Sequence, residues 1–235
     1  MIDDSELRDL DPFGLLDAES RRLDGFFATL QGDDWLRPTR CAGWRRRELL
    51  AHLAATEAYN HATLDDTLQD LVGRATAAGV KGLHDFNDWG VRERENRSVE
   101  ELLEEWRTAS ADTRRRIRER GWDGSLSTMV GPYPAGLQAF HLAMENAVHA
   151  DDMDVPVADG ERRLRGTWQA RFARFTVREY ERAVEISVEG ASNRVSGAGQ
   201  ELTIDDEGLV AACTARLPEE HPMSQELRDL LRVFA

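Results

Sequence analysis

The sequence is poor in cysteine and has no long apolar run. Its two cysteines, Cys41 and Cys213, lie far apart and form no Cys-x-x-Cys pair, which argues against a disulfide framework and against a thiolate metal cluster. We interpret Cys41 as a buried or incidental cysteine rather than a reactive thiol. No apolar stretch approaches the roughly 18 residues that a membrane-spanning helix needs. The acidic beginning, MIDDSELRDLDPFG, lacks the basic start of a signal peptide, so we expect a cytoplasmic protein.

Positive charge is also scarce. Lysine and arginine together number 30 against 44 aspartate and glutamate residues, which gives a formal net charge of −14. Nucleic-acid binding depends on a basic face, so this balance argues against a nucleic-acid partner. Two arginine runs, 45–47 and 114–116, are surrounded by acids, and we interpret them as solvated helix faces. The composition indicates neither a partner protein nor an oligomeric state.

What the sequence does contain, over its first two-thirds, is helical periodicity. Leu16, Leu23, Phe27 and Leu30 recur at helical spacing. Ser98 followed by Glu101 fits a capping box at the start of another helix. The glycine- and asparagine-containing stretch 73–97 is interpreted as a long connection, and SLSTMVGPYPAG as a loop. The predicted helices cover residues 12–31, 44–72, 98–120 and 134–152, and together they predict a four-helix bundle.

After Pro156 the pattern changes. A helix is predicted over 164–183, followed by short segments rich in β-formers, namely VEISVEG, RVSG, ELTID and GLVAACTARL. The predicted fold is therefore mainly α, with a bundle domain over 1–156 and a small α/β domain over 157–235.

The segment AFHLAMENAVHADDMD, residues 139–154, carries charge on an otherwise apolar helix. His141, Glu145 and His149 are spaced four apart, so they form one polar stripe along the helix. A glutamate beside a helical core is costly unless a partner offsets its charge, and a divalent metal would do so.

A third ligand is available on the second predicted helix. His52 is flanked by leucines and alanines in RRRELLAHLAATEAYNHA, which directs it towards the core. Two imidazoles and one carboxylate, from His52, Glu145 and His149, are typical of a catalytic zinc site with an open position. Asp152 and His141 are candidates for groups that orient a ligand. The alternatives are a hydrogen-bonded core histidine at His52 and a simple ion pair between Glu145 and His149.

These segments resemble a known family. A Pro-Thr-x-Cys-x-Gly-Trp stretch followed by a helix with a histidine, and a later Glu-x-x-x-His-x-x-Asp helix, are similar to motifs of the mycothiol-dependent maleylpyruvate isomerases, within the DinB-like superfamily. The matching residues are Pro38, Thr39, Cys41, Gly43, Trp44, His52, Glu145, His149 and Asp152.

The resemblance implies a DinB-like bundle, a sterol-carrier-like C-terminal domain, zinc bound by His52, Glu145 and His149, and mycothiol as the thiol. Relatives use an arginine of the C-terminal domain at the site, and Arg216, Arg228 and Arg232 are the candidates here. We therefore expect a thiol-using isomerase or S-transferase that acts on a small electrophile. A metal-dependent hydrolase and a non-catalytic metal-binding protein are the alternatives.

Overall fold

The computed structural model describes residues 3–234 and divides the chain into two compact units. One unit comprises residues 12–155, and the other combines the N-terminal segment up to Asp11 with the chain from Pro156 onwards. The N-terminal segment, which the sequence analysis placed with the bundle, thus groups with the C-terminal part. A domain boundary at residue 156 stays a prediction. Across residues 3–234, no helix has both the length and the apolar character needed to cross a membrane.

The first unit is built around four long helices. Helix α1 (Pro12–Phe27) packs against α6 (Ala135–Asp152), and α2 (Arg46–Leu64) packs against α5 (Val99–Arg120), while α5 also contacts α1 and α6. The prediction of a mainly α fold with a four-helix bundle is confirmed. The helices of this unit are α1 (Pro12–Phe27), α2 (Arg46–Leu64), α3 (Leu68–Ala77), α4 (Leu83–Arg92), α5 (Val99–Arg120) and α6 (Ala135–Asp152).

The start of α5 follows the predicted capping box. Ser98 Oγ accepts a hydrogen bond from the Glu101 amide at 3.2 Å, and the Ser98 amide donates to Glu101 Oε2 at 2.7 Å. Two of the amides that a helix start leaves unpaired are thereby satisfied.

The second predicted helix is in fact two. Helix α2 ends at Leu64, and Asp66 takes a positive φ of 57° that interrupts the helical path. Aspartate tolerates this left-handed conformation better than most residues do. The Thr67 amide returns to the Ala62 carbonyl at 2.9 Å, and α3 follows.

The predicted connection over 73–97 contains a helix, α4, that the sequence analysis missed. Phe86 and Trp89 of α4 pack on Leu68 and Leu71 of α3 in a small apolar cluster. The helix is short and lies among glycine and asparagine residues, so its tertiary contacts, rather than propensity, stabilise it.

The predicted loop between α5 and α6 is a β-hairpin. Strand β1 (Ser125–Thr128) pairs antiparallel with β2 (Gly131–Pro134), and Gly131 has the positive φ of 101° that favours glycine. The two prolines of β2 indicated a loop rather than a strand, because proline is tolerated in a sheet only where no ladder hydrogen bond is lost.

The bundle core is centred on aromatic side chains. Trp106 of α5 meets Phe27 of α1 edge to face, with ring centroids 5.4 Å apart, and Phe27 stacks on Trp35. All three are buried. Leu49, Leu50 and Leu53 of α2 complete this cluster.

The second unit is α/β, as predicted. A three-stranded antiparallel sheet has the order β3 (Val184–Glu189), β4 (Ser192–Gly197), β5 (Gln200–Ile204). It packs with helices around Val195, Leu209 and Leu227. The GLVAACTARL segment forms a helix rather than a strand, because Asp205 caps it by accepting from the Gly208 amide at 2.8 Å. The elements are α7 (Asp159–Glu179), β3 (Val184–Glu189), β4 (Ser192–Gly197), β5 (Gln200–Ile204), α8 (Asp206–Cys213) and α9 (Gln225–Leu231).

Charged contacts tie the N-terminal segment to α7 inside this unit. Arg174 Nε pairs with Glu6 Oε2 at 3.0 Å, and Arg171 contacts both Glu6 and Asp9. Leu7 is fully buried. These long-range contacts leave no periodic signal in the sequence, which explains why the segment was placed with the bundle.

A buried carboxyl group joins α2 to α5. Glu57 Oε2 accepts hydrogen bonds from Thr113 Oγ1 at 2.6 Å and from Asn60 Nδ2 at 3.0 Å. Burial raises the pKa of Glu57, although these hydrogen bonds act in the opposite direction. The protonated form is therefore favoured in the folded state relative to the unfolded chain.

We expect the stability of the protein to fall as the pH rises through the folded-state pKa of Glu57. The contribution is fully present below the ordinary pKa and is lost above the raised one, with a slope of at most about 1.4 kcal/mol per pH unit. Urea denaturation of the wild type and Glu57→Gln across pH 5–8 measures it. The free energy of unfolding of the variant should rise relative to that of the wild type as the pH increases. A difference between the two that does not change with pH would contradict this account.

Candidate metal centre

The loop that precedes α2 is folded by its own side chains. Thr39 Oγ1 donates to the Trp44 carbonyl at 2.9 Å and accepts from the Cys41 amide at 3.1 Å. Gly43 supplies the positive φ of 82° that closes the turn. The loop therefore fixes Cys41 and Trp44 at the N-terminal end of α2, beside α6.

Three side chains converge between α2 and α6. Glu145 Oε1 lies 2.8 Å from His52 Nε2 and 3.2 Å from His149 Nε2. Atoms from all three residues come within 4.8 Å of one another. The structure thus brings together the three residues that the sequence analysis selected as ligands, although they come from two helices separated by some 90 residues of chain.

His52 is positioned mainly by packing. Its side chain is 4% exposed, Trp44 lies over the ring at 4.9 Å between centroids, and His149 meets it edge to face at 4.9 Å. His52 Nδ1 is buried and, among the described residues, has no hydrogen-bond partner. A ligating imidazole usually donates its second ring N–H to an acceptor, which orients the ring. For His52, contact with Trp44 orients the ring instead.

His149 is oriented by a hydrogen bond. Its Nδ1 lies 3.0 Å from Asp152 Oδ2, and the Asp152 side chain is fully buried. Cys41 Sγ donates to the same Asp152 oxygen at 3.2 Å. With the Asp152 carboxylate accepting from Nδ1–H, the ring of His149 is held with Nε2 facing Glu145.

Burial and mutual contacts shift the pKa values of the three groups in different directions. Burial lowers the pKa of His52, so its imidazole is neutral. Burial alone would raise the pKa of Glu145, but His149 and His52 hold it well below the usual range. Burial alone would lower the pKa of His149, but Glu145 and Asp152 hold it well above the usual range. Glu145 and His149 thus form an ion pair beside a neutral ring.

The donor set suits a zinc-like ion. Tetrahedral zinc with ligand bonds of about 2.0–2.2 Å places neighbouring donor atoms about 3.3 Å apart, close to the 2.8 and 3.2 Å separations around Glu145 Oε1. Divalent metals bind neutral imidazole and ionised carboxylate, so His52 and Glu145 have the binding form, and His149 would release a proton as a metal binds.

A second group of ligand-type atoms shares His149. Cys41, His149 and Asp152 also lie within 4.8 Å of one another, through the opposite ring nitrogen. Glu145 keeps about a third of its side-chain surface exposed, whereas Asp152 has none. An exchangeable position needs access, so the geometry favours the group of His52, Glu145 and His149 as the ligands, with Asp152 and Cys41 behind it.

His141 lies outside both groups. Its Nε2 is 3.1 Å from the Tyr133 hydroxyl on β2. The contact of Cys41 with Asp152 and the packing of Trp44 on His52 could not be predicted from the sequence, because both depend on how the loop before α2 folds. The spacing of Cys41 and Trp44 within the family-like motif was the one available signal.

A cavity of about 180 Å³ opens onto His52 and Glu145. Its walls come from α2, α4 and the β1–β2 turn, and include Tyr59, Phe86 and Met129. The candidate metal position therefore faces a space large enough for a small molecule.

One of the C-terminal arginines that the resemblance implied has a structural role. Arg228 donates to backbone carbonyls of the loop before α9, among them Met223 at 3.1 Å and Pro218 at 2.7 Å. Arg216 donates to the Thr214 carbonyl, and Arg232 is exposed.

Replacing Asp152 by asparagine is expected to lower metal affinity by about 10–100-fold, since the hydrogen bond to His149 Nδ1 loses its charge. Competition with a chromogenic zinc chelator measures the affinity. Asp151→Asn, the neighbouring acid on the same helix, is the matched control and should leave the affinity near the wild-type value. Equal effects of the two substitutions would contradict an orienting role for Asp152.

A known protein family matches nearly the same residues as the first unit of the structure. Residues 16–154 match the family described as the mycothiol maleylpyruvate isomerase N-terminal domain. A crystal structure of a histidine-to-alanine mutant of mycothiol-dependent maleylpyruvate isomerase is similar, with a TM-score of 0.61 and 15% identity. The match covers 90% of this chain and 92% of that one, which is a likeness of fold. A search of curated proteins finds no match. The family match covers more than half of the sequence, so the chain belongs to the mycothiol maleylpyruvate isomerase N-terminal domain family.

Proposed function

We propose that this protein is a metal-dependent, mycothiol-using enzyme that isomerises a small electrophile or transfers the thiol to it. The observation that carries the proposal is the convergence of His52, Glu145 and His149 beside a cavity that His52 and Glu145 line. Family membership supports the thiol, and the described ligand set supports a divalent metal, most simply zinc. A cytoplasmic location stays a prediction.

His52, Glu145 and His149 would hold the metal. A divalent cation supplies one chemical function here, which is to bind a thiol as its thiolate, the nucleophilic form. Asp152 would accept a hydrogen bond from His149 Nδ1–H, so that Nε2, once deprotonated, would be the nitrogen that binds the metal. Trp44 keeps the His52 ring in place from the loop side.

The reaction itself needs no nucleophile from the protein. In the isomerase reading, the thiolate adds to an activated cis double bond, the resulting single bond rotates, and the thiolate leaves. In the transferase reading, the carbon–sulfur bond is retained and a leaving group departs. The cavity walls of Tyr59, Phe86 and Met129 would reduce access of water to the reacting carbon.

The test measures turnover of maleylpyruvate with the zinc-loaded protein, with and without mycothiol, before and after removal of metal by a chelator. We expect turnover that requires both mycothiol and metal and that returns when zinc is added back. Turnover without any thiol would instead indicate the hydrolase alternative. Metal binding without turnover across thiols and electrophiles would indicate a non-catalytic metal-binding protein.

Cys41→Ser is a useful companion variant. If His52, Glu145 and His149 are the ligands, the serine variant should retain stoichiometric zinc. Loss of zinc in this variant, with Glu145→Gln unaffected, would move the metal to the group of Cys41, His149 and Asp152.

A further inference from the structure

The cavity beside the candidate metal centre has uncharged polar groups on its wall. Its volume is about 180 Å³, and a cavity of about 150 Å³ in an engineered apolar protein core is enough to hold benzene. Besides His52 and Glu145, the polar residues that line it are Thr56, Tyr59 and Asn87. A bound molecule of the size of one ring would therefore lie beside these side chains as well as beside the candidate ligands.

Thr56 and Tyr59 continue the face of α2 that carries His52, because the three residues are spaced four and three apart on one helix. Thr56 Oγ1 donates to the His52 carbonyl at 3.1 Å, which commits its proton to the helix backbone. Tyr59 Oη instead accepts from the Met129 amide at the long distance of 3.5 Å, and no residue within 3–234 accepts the Tyr59 proton. Since Met129 also lines the cavity, the hydroxyl end of Tyr59 lies at the wall and can donate to a ligand.

Packing fixes the Tyr59 side chain. Tyr59 packs on an apolar cluster that includes Leu68 and Leu71 of α3, and Phe86 and Trp89 of α4 pack on the same cluster. A donor that is held in place before a ligand binds needs no reorganisation when negative charge develops beside it. Tyr59 is therefore a preorganised hydrogen-bond donor.

Asn87 reaches the cavity from α4. A Cβ atom at Gly90 would lie 2.7 Å from Ala55 Cβ of α2, so the close approach of the two helices depends on glycine at this position. Asn87 is three residues before Gly90 and thus lies on the face of α4 that packs on α2. Among residues 3–234, the side-chain amide of Asn87 has no hydrogen-bond partner. The amide is therefore a second uncharged donor, on the helix facing Tyr59.

The proposed reaction needs such donors. The thiolate forms a carbon–sulfur bond to the β-carbon of the cis double bond, and the π electrons move to the oxygen of the conjugated carbonyl group. After rotation, those electrons re-form the double bond, the carbon–sulfur bond breaks, and the thiolate is released with no net proton or electron change. Because the sulfur occupies the open metal position, the negative carbonyl oxygen needs a different partner, and fixed N–H and O–H donors stabilise such an oxygen strongly.

We propose that the Tyr59 hydroxyl and the Asn87 amide bind the carbonyl oxygen of the electrophile and stabilise its negative charge while the carbon–sulfur bond exists. The ligand class is a compound whose ketone, ester or carboxylate oxygen is conjugated to the double bond. This inference rests on the proposed function, because it assigns two catalytic residues to the reaction in the same cavity.

The kinetic test uses substitutions that keep the shape of each side chain. Tyr59→Phe removes the hydroxyl group and keeps the packed ring, and Asn87→Leu removes the amide. With maleylpyruvate and mycothiol, we expect kcat to fall at least about tenfold in each variant, because the hydrogen bonds strengthen as charge develops. KM should change by less than about threefold. An unchanged kcat in either variant, with or without a higher KM, would overturn the assignment of that residue.

Two control variants make the same chemical changes away from the cavity. Tyr180→Phe alters a tyrosine that is 47% exposed in the second unit, and Asn96→Leu alters an exposed asparagine before α5. Neither residue lines the cavity. Both controls should keep the wild-type kcat, and losses equal to those of Tyr59→Phe and Asn87→Leu would contradict the proposal.

Binding without a thiol separates this inference from the proposed function. The probe is 4-nitrophenolate, a ring-sized oxyanion whose visible absorbance reports its environment, titrated into protein that has been incubated with zinc. We expect Kd to rise roughly tenfold in Tyr59→Phe and in Asn87→Leu, since hydrogen bonds to charged groups are the strong ones. If turnover is absent but this pattern holds, the proposed function fails and the oxygen site stands. Absence of binding in the wild type, or equal affinity in wild type and variants, would overturn the oxygen site whatever the catalytic result.

Discussion

Replacing Glu145 by glutamine is expected to remove stoichiometric zinc and to lower the mycothiol-dependent rate by at least about 100-fold. Loss of a group that only orients a ligand typically costs about 10–100-fold, and Glu145 is itself the central donor. Its Oε1 lies within hydrogen-bond distance of both His52 and His149. Glutamine keeps the shape of the side chain but loses the charge that attracts a cation and stabilises protonated His149.

A matched control distinguishes the site from a general effect on the bundle. Glu57→Gln makes the same chemical change at a buried glutamate of α2, whose partners are Thr113 and Asn60. We expect this control to retain metal and rate at neutral pH. Elemental analysis and steady-state kinetics on both variants measure the zinc content and the mycothiol-dependent rate. Full activity of Glu145→Gln, or equal losses in both variants, would contradict the assignment of Glu145.

Replacing Trp106 by alanine is expected to destabilise the protein by about 3–5 kcal/mol, the cost of a large cavity in a packed core. Trp106 is 2% exposed and lies edge to face on Phe27. Its loss removes the contact of α5 with Phe27 of α1, within the cluster that also contains Trp35. Little of the neighbouring packing can collapse into the gap, because long helices hold it.

Trp89→Ala is the control for the destabilisation expected of Trp106→Ala. Trp89 is only partly buried and belongs to the small cluster with Phe86 rather than to the main core. Urea denaturation followed by circular dichroism at 222 nm should show a loss for Trp89→Ala less than half of that for Trp106→Ala. Similar losses would show that the core is not centred where the structure places it.

Much of the bundle could be predicted from periodicity alone. Helices with apolar residues at 3.6-residue spacing keep that pattern whatever they pack against, so α1, α5 and α6 were found with small errors at their ends. The polar stripe at Glu145 and His149 was visible for the same reason. His52 was visible because a histidine within an apolar helix face must point inwards. That the three residues bind metal stays a prediction.

Elements stabilised by tertiary contacts could not be predicted. Helix α4 depends on the packing of Phe86 and Trp89, and the hairpin β1–β2 contains prolines that indicate a loop. Helix α8 contains β-formers, but the cap from Asp205 and its packing on α7 outweigh their propensity. The contact of Cys41 with Asp152 joins a loop to a helix far away in sequence, and no local pattern encodes it.

The most direct test of the central claim is elemental analysis of the purified protein beside His52→Ala and His149→Ala. The account predicts about one equivalent of zinc per chain in the wild type, as expected for a single three-residue site, and its loss in both variants with helical content unchanged. A wild-type protein that holds no metal after incubation with zinc would contradict it, and the contacts of Glu145 with the two histidines would then be an ordinary buried hydrogen-bonded cluster.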